Sequence, residues 1–228
     1  MTNSEFSNEF DILYNNIASE QAPGLTEYEK SVFLTNAQDN LVLELVTGKN
    51  VLGESFEKTE ELREYLTEIV KTAVLPSIQV DEAAKISTKS KTYTTPDDLF
   101  VIVYEAVNFE DVNLGCTPAN IEVIPVTHDE FSRIIKNPFR KPNKNKVLRL
   151  NIGNNIELVS EYNIKDYTIR YVSIPEPIIL EDLSSMGLSI KGKDSTTECK
   201  LNPALHEAIL GRAVQMAKAS MGLIESGR

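Results

Sequence analysis

The chain has 228 residues, of which 41% are hydrophobic and 25% are charged, an ordinary composition for a globular protein. Lysine and arginine total 23 against 34 aspartates and glutamates, so the formal charge is −11. This balance argues against a protein built mainly to grip a phosphate backbone, because such proteins carry a net basic footprint. No apolar run reaches the about 18 residues that cross a bilayer, so we expect no membrane partner.

The compartment is predicted from the N-terminus and from the cysteines. Residues 1–5 have neither the basic nor the apolar stretch of a signal peptide, so we expect an intracellular, soluble chain. Cys116 and Cys199 are well separated in sequence. Two thiols are favoured over one disulfide because an intracellular compartment is reducing.

The first third of the chain has the apolar spacing of helices. One helical face of the first helix is formed by Phe6, Phe10, Leu13 and Ile17. Thr26 and Glu29 form a capping-box pattern that predicts the start of a second helix, which ends near Gly48. The second helix carries its apolar residues at Val32, Phe33, Leu41 and Leu45.

A third helix is predicted from about Phe56 to Val74, and Pro76 ends it. Its apolar residues recur at helical spacing, at Leu62, Leu66, Ile69 and Ala73.

The middle of the chain changes to strand-like runs. Five strands are predicted, over 99–104, 121–126, 147–152, 156–162 and 167–174. Gly153 and the two asparagines after it predict a hairpin between the third and fourth strands. A short helix starting at Thr127 or His128 separates the second strand from the third.

The C-terminal part is predicted to be a loop followed by a helix. Residues 181–200 are loop-like and are candidates for disorder or for ordering on a partner. Asn202 as N-cap and Pro203 at the first helical position open the last helix. Its predicted apolar face comprises Leu205, Ile209, Ala213, Met216 and Ala217.

Together these elements predict an α+β fold with N-terminal helices, a central antiparallel β-sheet and a C-terminal helix packed on the core. We expect one domain over residues 1–228, with a helical part at 1–76 and 201–222 and a β part at 85–180.

Catalytic, metal and cofactor sites are not indicated by the sequence. Nucleophilic catalysis usually needs a histidine base, and the two histidines, His128 and His206, both fall at helix starts, where a solvent-facing position is expected. The run that begins at His206 resembles a zinc-protease helix, but Leu210 stands where the second histidine is required. Phosphate-binding glycine loops are missing as well, so we expect no enzyme and no cofactor.

One segment differs in charge from the rest of the chain. Residues 133–149, called the basic segment below, hold seven bases and no acid, and removing these charges from −11 leaves −18 elsewhere. Such a segment can be a solvated loop, or it can meet an acidic neighbouring subunit or nucleic acid. The candidate contact residues are Arg133, Lys136, Phe139, Arg140, Lys141, Lys144, Lys146 and Arg149.

Five segments in this order resemble one family of virion proteins. They are Pro-Phe-Arg-Lys-Pro at 138–142, Val-Leu-Arg-Leu at 147–150, Tyr-Thr-Ile-Arg-Tyr at 167–171, Pro-Glu-Pro-Ile-Ile-Leu at 175–180 and Cys-Lys-Leu-Asn-Pro-Ala-Leu-His-Glu-Ala-Ile at 199–209. The series is similar to the head-to-tail connector proteins, also called ring or adaptor proteins, of crAss-like Bacteroidetes tailed phages. The resemblance covers residues 5 to 222 approximately.

The resemblance implies a virion subunit, made in the host cytoplasm, that forms a ring of twelve copies in the neck. Its implied partners are other copies of itself, the portal protein and neighbouring ring or tail proteins, and the ring continues the DNA channel. One alternative is a virion module that contacts nucleic acid through the basic segment, including non-specific contact with DNA in the channel. Another is an enzyme with a hidden carboxylate site, which no motif supports.

Overall fold

The computed structural model describes residues 1–15, 24–49, 57–81, 85–110 and 120–221. It confirms the α+β class. The chain divides into two compact units: the first contains Met1–Ile69 and Ile174–Arg228, and the second contains Val70–Ser173. Within the described ranges, no helix is both long enough and apolar enough to cross a membrane.

The helices are α1 (Asn3–Asn15), α2 (Glu27–Thr47), α3 (Glu60–Leu66), α4 (His128–Lys136) and α5 (His206–Ser220). The strands are β1 (Val70–Val74), β2 (Ser77–Ile78), β3 (Ser90–Thr94), β4 (Leu99–Phe109), β5 (Ile121–Pro125), β6 (Lys146–Ile152), β7 (Asn155–Val159) and β8 (Ile164–Ser173). The five predicted strands and the short helix before β6 are confirmed, whereas β1, β2 and β3 were not predicted.

The first unit is a helical assembly in which α1, α2 and α5 contact one another. The predicted capping box is present, with Thr26 accepting from the amide of Glu29 and the Glu29 carboxylate accepting from the amide of Thr26. Gly48 ends α2 in the left-handed conformation, at φ 73°. Lys30 is buried and lies 2.6 Å from Asp11, an ion pair that joins α2 to α1.

The buried helix faces differ in part from those predicted. On α1, Phe6 and Phe10 are buried as expected, but Tyr14 takes the third position and Leu13 is 40% exposed; Ile17 lies outside the described residues. On α2, Leu45 is buried as expected, and the other buried apolar residues are Leu34, Ala37 and Val42. On α5, the predicted face is confirmed except for Met216, and Leu210 and Val214 join the core.

The prediction that the third helix continues to Val74 is wrong. Helix α3 ends at Leu66, a 3₁₀ turn covers Thr67–Ile69, and residues 70–74 form β1, paired antiparallel with β8. Hydrogen bonding to a strand about a hundred residues away overrides the local helical spacing. The predicted start near Phe56 lies outside the described residues.

The second unit is an eight-stranded curled sheet with the order β1-β8-β4-β5-β6-β7-β3-β2. All neighbours are antiparallel except β5 and β6, which α4 connects as a parallel crossover. The two outermost strands, β1 and β2, are joined by only Leu75 and Pro76, so the two sides of the sheet must come together at this link. The amide of Leu75 donates to Tyr167 on one side, and Pro76 accepts from Thr94 on the other.

Two apolar clusters hold the second unit together. One includes Tyr93, Val147, Leu158 and Tyr167 on one face of the sheet. On the opposite face Phe131 of α4 packs against Leu148 and Leu150 of β6, so β6 is apolar on both faces. The predicted hairpin between β6 and β7 is confirmed, and its Gly153 has φ 58°, which glycine adopts readily.

Residues 181–200 have their contacts within the first unit. Leu183 and Ile190 are buried and cluster with Tyr28 and Val32 of α2. The side chain of Lys191 lies 2.7 Å from Asp39. Contacts within the chain therefore order this loop-like segment, for which the sequence left disorder and ordering on a partner open.

The formal charge divides unevenly between the two units. The second unit contains thirteen bases and thirteen acids and is neutral as a whole. The first unit therefore carries the whole charge of −11.

Candidate interface at the basic loop

Helix α4 separates opposite charges along its length. Thr127 caps the helix by accepting from the amide of Glu130. Asp129 and Glu130 occupy its first turn, whereas Arg133 and Lys136 occupy its last. This distribution complements the helix dipole, so it stabilises the helix while it presents the bases to solvent at the C-terminal end.

The loop after α4 is held by its own asparagines. Residues 137–145 are called the basic loop below. The Asn137 side chain accepts a hydrogen bond from the amide of Phe139 at 3.0 Å. The backbone carbonyl of Asn137 accepts from the amides of Arg140 and Lys141 at 3.0 and 2.9 Å. Asn143 exchanges two backbone hydrogen bonds with Lys146, at 3.1 and 3.3 Å. The loop therefore has a defined shape before any partner binds.

Phe139 is the most exposed large apolar side chain of the described residues, at 89%. Its carbonyl accepts from the Lys146 ammonium at 2.6 Å, which fixes the backbone beneath the ring. Burying a phenylalanine side chain is worth about 2 kcal/mol. Aromatic residues beside arginine are typical anchors of protein interfaces.

The predicted contact residues fall into two groups. Arg133, Lys136, Arg140 and Lys144 are exposed, and none of them has an acidic partner among the described residues. Lys141 lies on the same loop but pairs with Glu161 at 3.2 Å, and Lys146 is half-buried.

Arg149 is separated from this group. Its side chain is 13% exposed, and its Nη1 lies 2.8 Å from Oε1 of Glu105, in an ion pair within the sheet. It shares a face of β6 with the buried Val147, because side chains alternate along a strand. The exposed candidate surface is therefore narrowed to α4 and the basic loop.

Sequence reasoning missed a buried polar cluster that includes Arg149. The Tyr167 hydroxyl donates to the second oxygen of Glu105 at 2.6 Å. Burial raises the pKa of Tyr167 far above its ordinary value, so the phenol is a donor at neutral pH. Burial also raises the pKa of Glu105, although Tyr167 and Arg149 oppose that effect. No sequence pattern distinguished Arg149 from the other six bases of the basic segment, because β6 is apolar on both faces.

The histidines and the described cysteine have structural contacts. His206 is buried at 4% exposure, with Nδ1 2.7 Å from the Met1 amine and Nε2 3.0 Å from the carbonyl of Leu201, so its predicted solvent-facing position is wrong. His128 is exposed, and its Nε2 lies 3.0 Å from the carbonyl of Asn151.

The Cys199 thiol donates a hydrogen bond to the Gln38 side chain, and burial raises the pKa of this thiol. Cys116 lies outside the described residues.

A metal centre is not seen in the part of the chain that the structure describes, where no three histidine, cysteine or acidic side chains gather.

Comparison with known proteins decides the family. The model of the phage tail ring protein 3/4 family matches residues 1–227. This chain belongs to that family. It is 45% identical over 220 residues to Ring protein 3 of Bacteroides phage crAss001, covering 95% of each chain. It is 38% identical over 235 residues to Ring protein 4/5 of the same phage, covering 96% of this chain and 93% of the relative.

The predicted resemblance to ring proteins of crAss-like phages is confirmed by these matches. Because the chain belongs to a family of ring proteins, it is a structural ring protein of a phage virion. Such a protein assembles with copies of itself and with other tail proteins.

Proposed function

We propose that this ring-family chain forms one ring of the neck of a tailed phage. Twelve copies, each a single ring-protein domain over residues 1–228, stack between the portal and the neighbouring ring or tail proteins and continue the DNA channel. The family membership supports the ring, and the neck position follows the resemblance of the five ordered segments described above. The subunit is made in the host cytoplasm and acts by assembly, without a catalytic step.

The observation that carries an assembly role is the exposed Phe139 on a preformed basic loop. An exposed phenylalanine lowers solubility. Six backbone amides donate hydrogen bonds that hold the shape of the loop: those of Phe139, Arg140, Lys141, Asn143, Asn145 and Lys146. A preformed loop loses little conformational entropy on binding, which favours association. The surrounding bases steer it toward an acidic protein surface.

The test is electron microscopy of the purified protein, alone and with its portal. We expect closed rings for the native chain. The double variant Arg140→Glu/Lys144→Glu should fold, because both side chains are exposed, but should form few rings. Its matched control is Lys49→Glu/Lys58→Glu, which makes the same charge change at two exposed lysines of the first unit and should assemble normally. Normal rings from the basic-loop variant would contradict an assembly role for this loop.

A second candidate function is contact with DNA in the channel. The four exposed bases without an acidic partner among the described residues, Arg133, Lys136, Arg140 and Lys144, are the observation that favours it. If they neutralise phosphates, the affinity for duplex DNA should fall steeply with salt, with a slope of about −0.9 for each contact. The Arg140→Glu/Lys144→Glu variant should then lose binding in an electrophoretic shift assay. Binding that is equally weak in the variant and the native chain would exclude this role.

A further inference from the structure

A cavity of about 400 Å³ opens in the second unit between β4 and the β6–β7 hairpin. Its lining is mixed. Leu99, Ile102 and Ile156 belong to or pack on the sheet core, whereas the polar part of the lining includes Arg149 and the asparagines of the hairpin. Phe100 and Val101 also line it and are each 36% exposed. A cavity with one partly exposed apolar wall and polar groups around it is suited to receiving a side chain from another molecule.

Strand β4 contributes an open edge to this cavity. It pairs with β8 from Leu99 to Phe109, with irregularities in the register at Phe100, at Val103 and at the Phe109 end. Toward β5, however, its pairing within the described ranges is confined to Ala106 and Val107. The backbone of residues 99–104 therefore has no second strand beside it in those ranges. Unpaired strand edges are places where another chain can bind.

The cavity and the basic loop lie at opposite ends of the same strands. The loop meets the sheet where β6 begins, at Lys146, and just beyond the end of β7, at Glu161. The cavity is lined by Asn151 and Asn155, where β6 ends and β7 begins. At about 3.3 Å per residue, the length of β6 separates the two features by about 20 Å.

The charges at these two ends are opposite. The rim of the cavity carries the exposed carboxylate of Asp97. The acidic first turn of α4 lies at the same end, because His128 contacts the carbonyl of Asn151. The other end carries the basic loop, and the unit as a whole is neutral. A unit with oppositely charged ends offers complementary surfaces to the same unit of a second copy, head to tail.

We infer that the basic loop of one copy docks into this cavity on the next copy. The Phe139 ring packs against the partly exposed wall formed by Phe100 and Val101, and Arg140 faces Asp97 across the rim. The contact joins two different surfaces, so repeating it produces a closed ring when the rotation between neighbours closes. This inference rests on the proposed function, for which it names the receiving surface.

Two variants block the two sides of the contact. Phe139→Asp removes the anchor, and Phe100→Asp places a charge in the cavity wall at a partly exposed position. At about 100 μM in sedimentation velocity, the native chain should form large oligomers while each variant alone stays monomeric. An equal mixture should give a heterodimer and nothing larger, because one intact loop then meets one intact cavity. Met186→Asp, at a side chain of the first unit that is 56% exposed, is the matched control and should assemble normally.

A charge exchange between the two sides distinguishes loss of the contact from loss of folding as the cause of weaker assembly. Asp97→Lys changes an exposed side chain and should weaken assembly, and adding Arg140→Asp to it should restore assembly.

If Phe139→Asp blocks assembly while the two cavity variants, Phe100→Asp and Asp97→Lys, assemble normally, the receiving surface is wrong and the proposed function stands. If all variants assemble normally, the loop has no assembly role and the docking is wrong, while a ring held by other surfaces stands. A native chain that stays monomeric, a mixture without heterodimer, or a charge exchange without rescue overturns the inference.

Discussion

The guanidinium of Arg149 lies 2.8 Å from the carboxylate of Glu105, and the two side chains are only 13% and 10% exposed. The Tyr167 hydroxyl occupies the other carboxylate oxygen. A buried ion pair loses hydration at both charges, so its net contribution to stability is small even though breaking it is costly. This pair therefore supports predictions about stability rather than about assembly.

Arg149→Met should destabilise the chain at neutral pH. The substitution leaves the buried Glu105 carboxylate without its cation, and such losses typically cost about 3 kcal/mol. Urea denaturation followed by circular dichroism measures this change in the free energy of unfolding. Arg133→Met, at an exposed base of α4, is the control and should change stability by less than about 0.5 kcal/mol. Equal effects of the two substitutions would contradict the role of the pair.

Glu105→Gln should change stability in a pH-dependent way. Burial raises the pKa of Glu105 above its ordinary value of 4.5, so the folded chain holds this proton at pH values where the unfolded chain has released it. The native chain should therefore lose stability relative to the variant as pH rises from 4.5 through the raised pKa. Below pH 4.5 the difference should be constant. Chemical denaturation of both proteins from pH 4 to pH 8 tests this. If the native chain became more stable relative to the variant as pH rises, the effect of Arg149 on the pKa of Glu105 would outweigh the effect of burial.

Lys30→Met should weaken the contact between α1 and α2. The ammonium is 3% exposed and lies 2.6 Å from Asp11, 2.9 Å from Glu27 and 3.2 Å from the Ser7 hydroxyl. Losing three hydrogen bonds should cost about 1 to 2 kcal/mol after the gain in apolar packing. Thermal unfolding measures the loss, and Lys58→Met at an exposed lysine serves as the control. A similar melting temperature for both variants would count against the buried network.

Asn137→Ala should loosen the basic loop without unfolding the sheet. The side chain is exposed and accepts only from the amide of Phe139, so its loss frees the loop more than the core. Under the proposed function we expect assembly to weaken several-fold, because a mobile loop must be ordered on binding. Sedimentation velocity measures assembly, and the melting temperature should stay within a few degrees of the native value. Unchanged assembly would show that the shape of the loop does not depend on Asn137.

Local signals in the sequence predicted local structure well. Thr26, Asn202 and the turn at Gly153 each act within a few residues, and the structure confirms all three. The burial of His206 depends instead on the Met1 amine and the Phe6 ring, which lie about two hundred residues away in the chain. No local pattern contains that information.

The sequence predicted only part of the candidate site, because part of that site depends on contacts between distant residues. The segregation of seven bases is a property of one continuous segment, so the sequence reveals it directly. Whether each base faces solvent depends on the strands around it. Because Val147, Leu148 and Leu150 make β6 apolar on both faces, the sequence did not indicate that Arg149 points into the sheet. The cavity beside β4 depends on where β5 stops pairing, which spacing does not encode.

The uneven division of charge between the two units has a consequence for the conditions of assembly. Copies gathered in a ring bring together units that each carry −11, and their mutual repulsion is strongest in dilute buffer. The same low ionic strength favours attraction between a basic loop and an acidic rim, and added salt screens both forces within about 10 Å at 0.1 M. The yield of rings should therefore pass through a maximum at an intermediate salt concentration, so that the ionic strength of the host cell, and not only the amount of protein, sets when the ring closes.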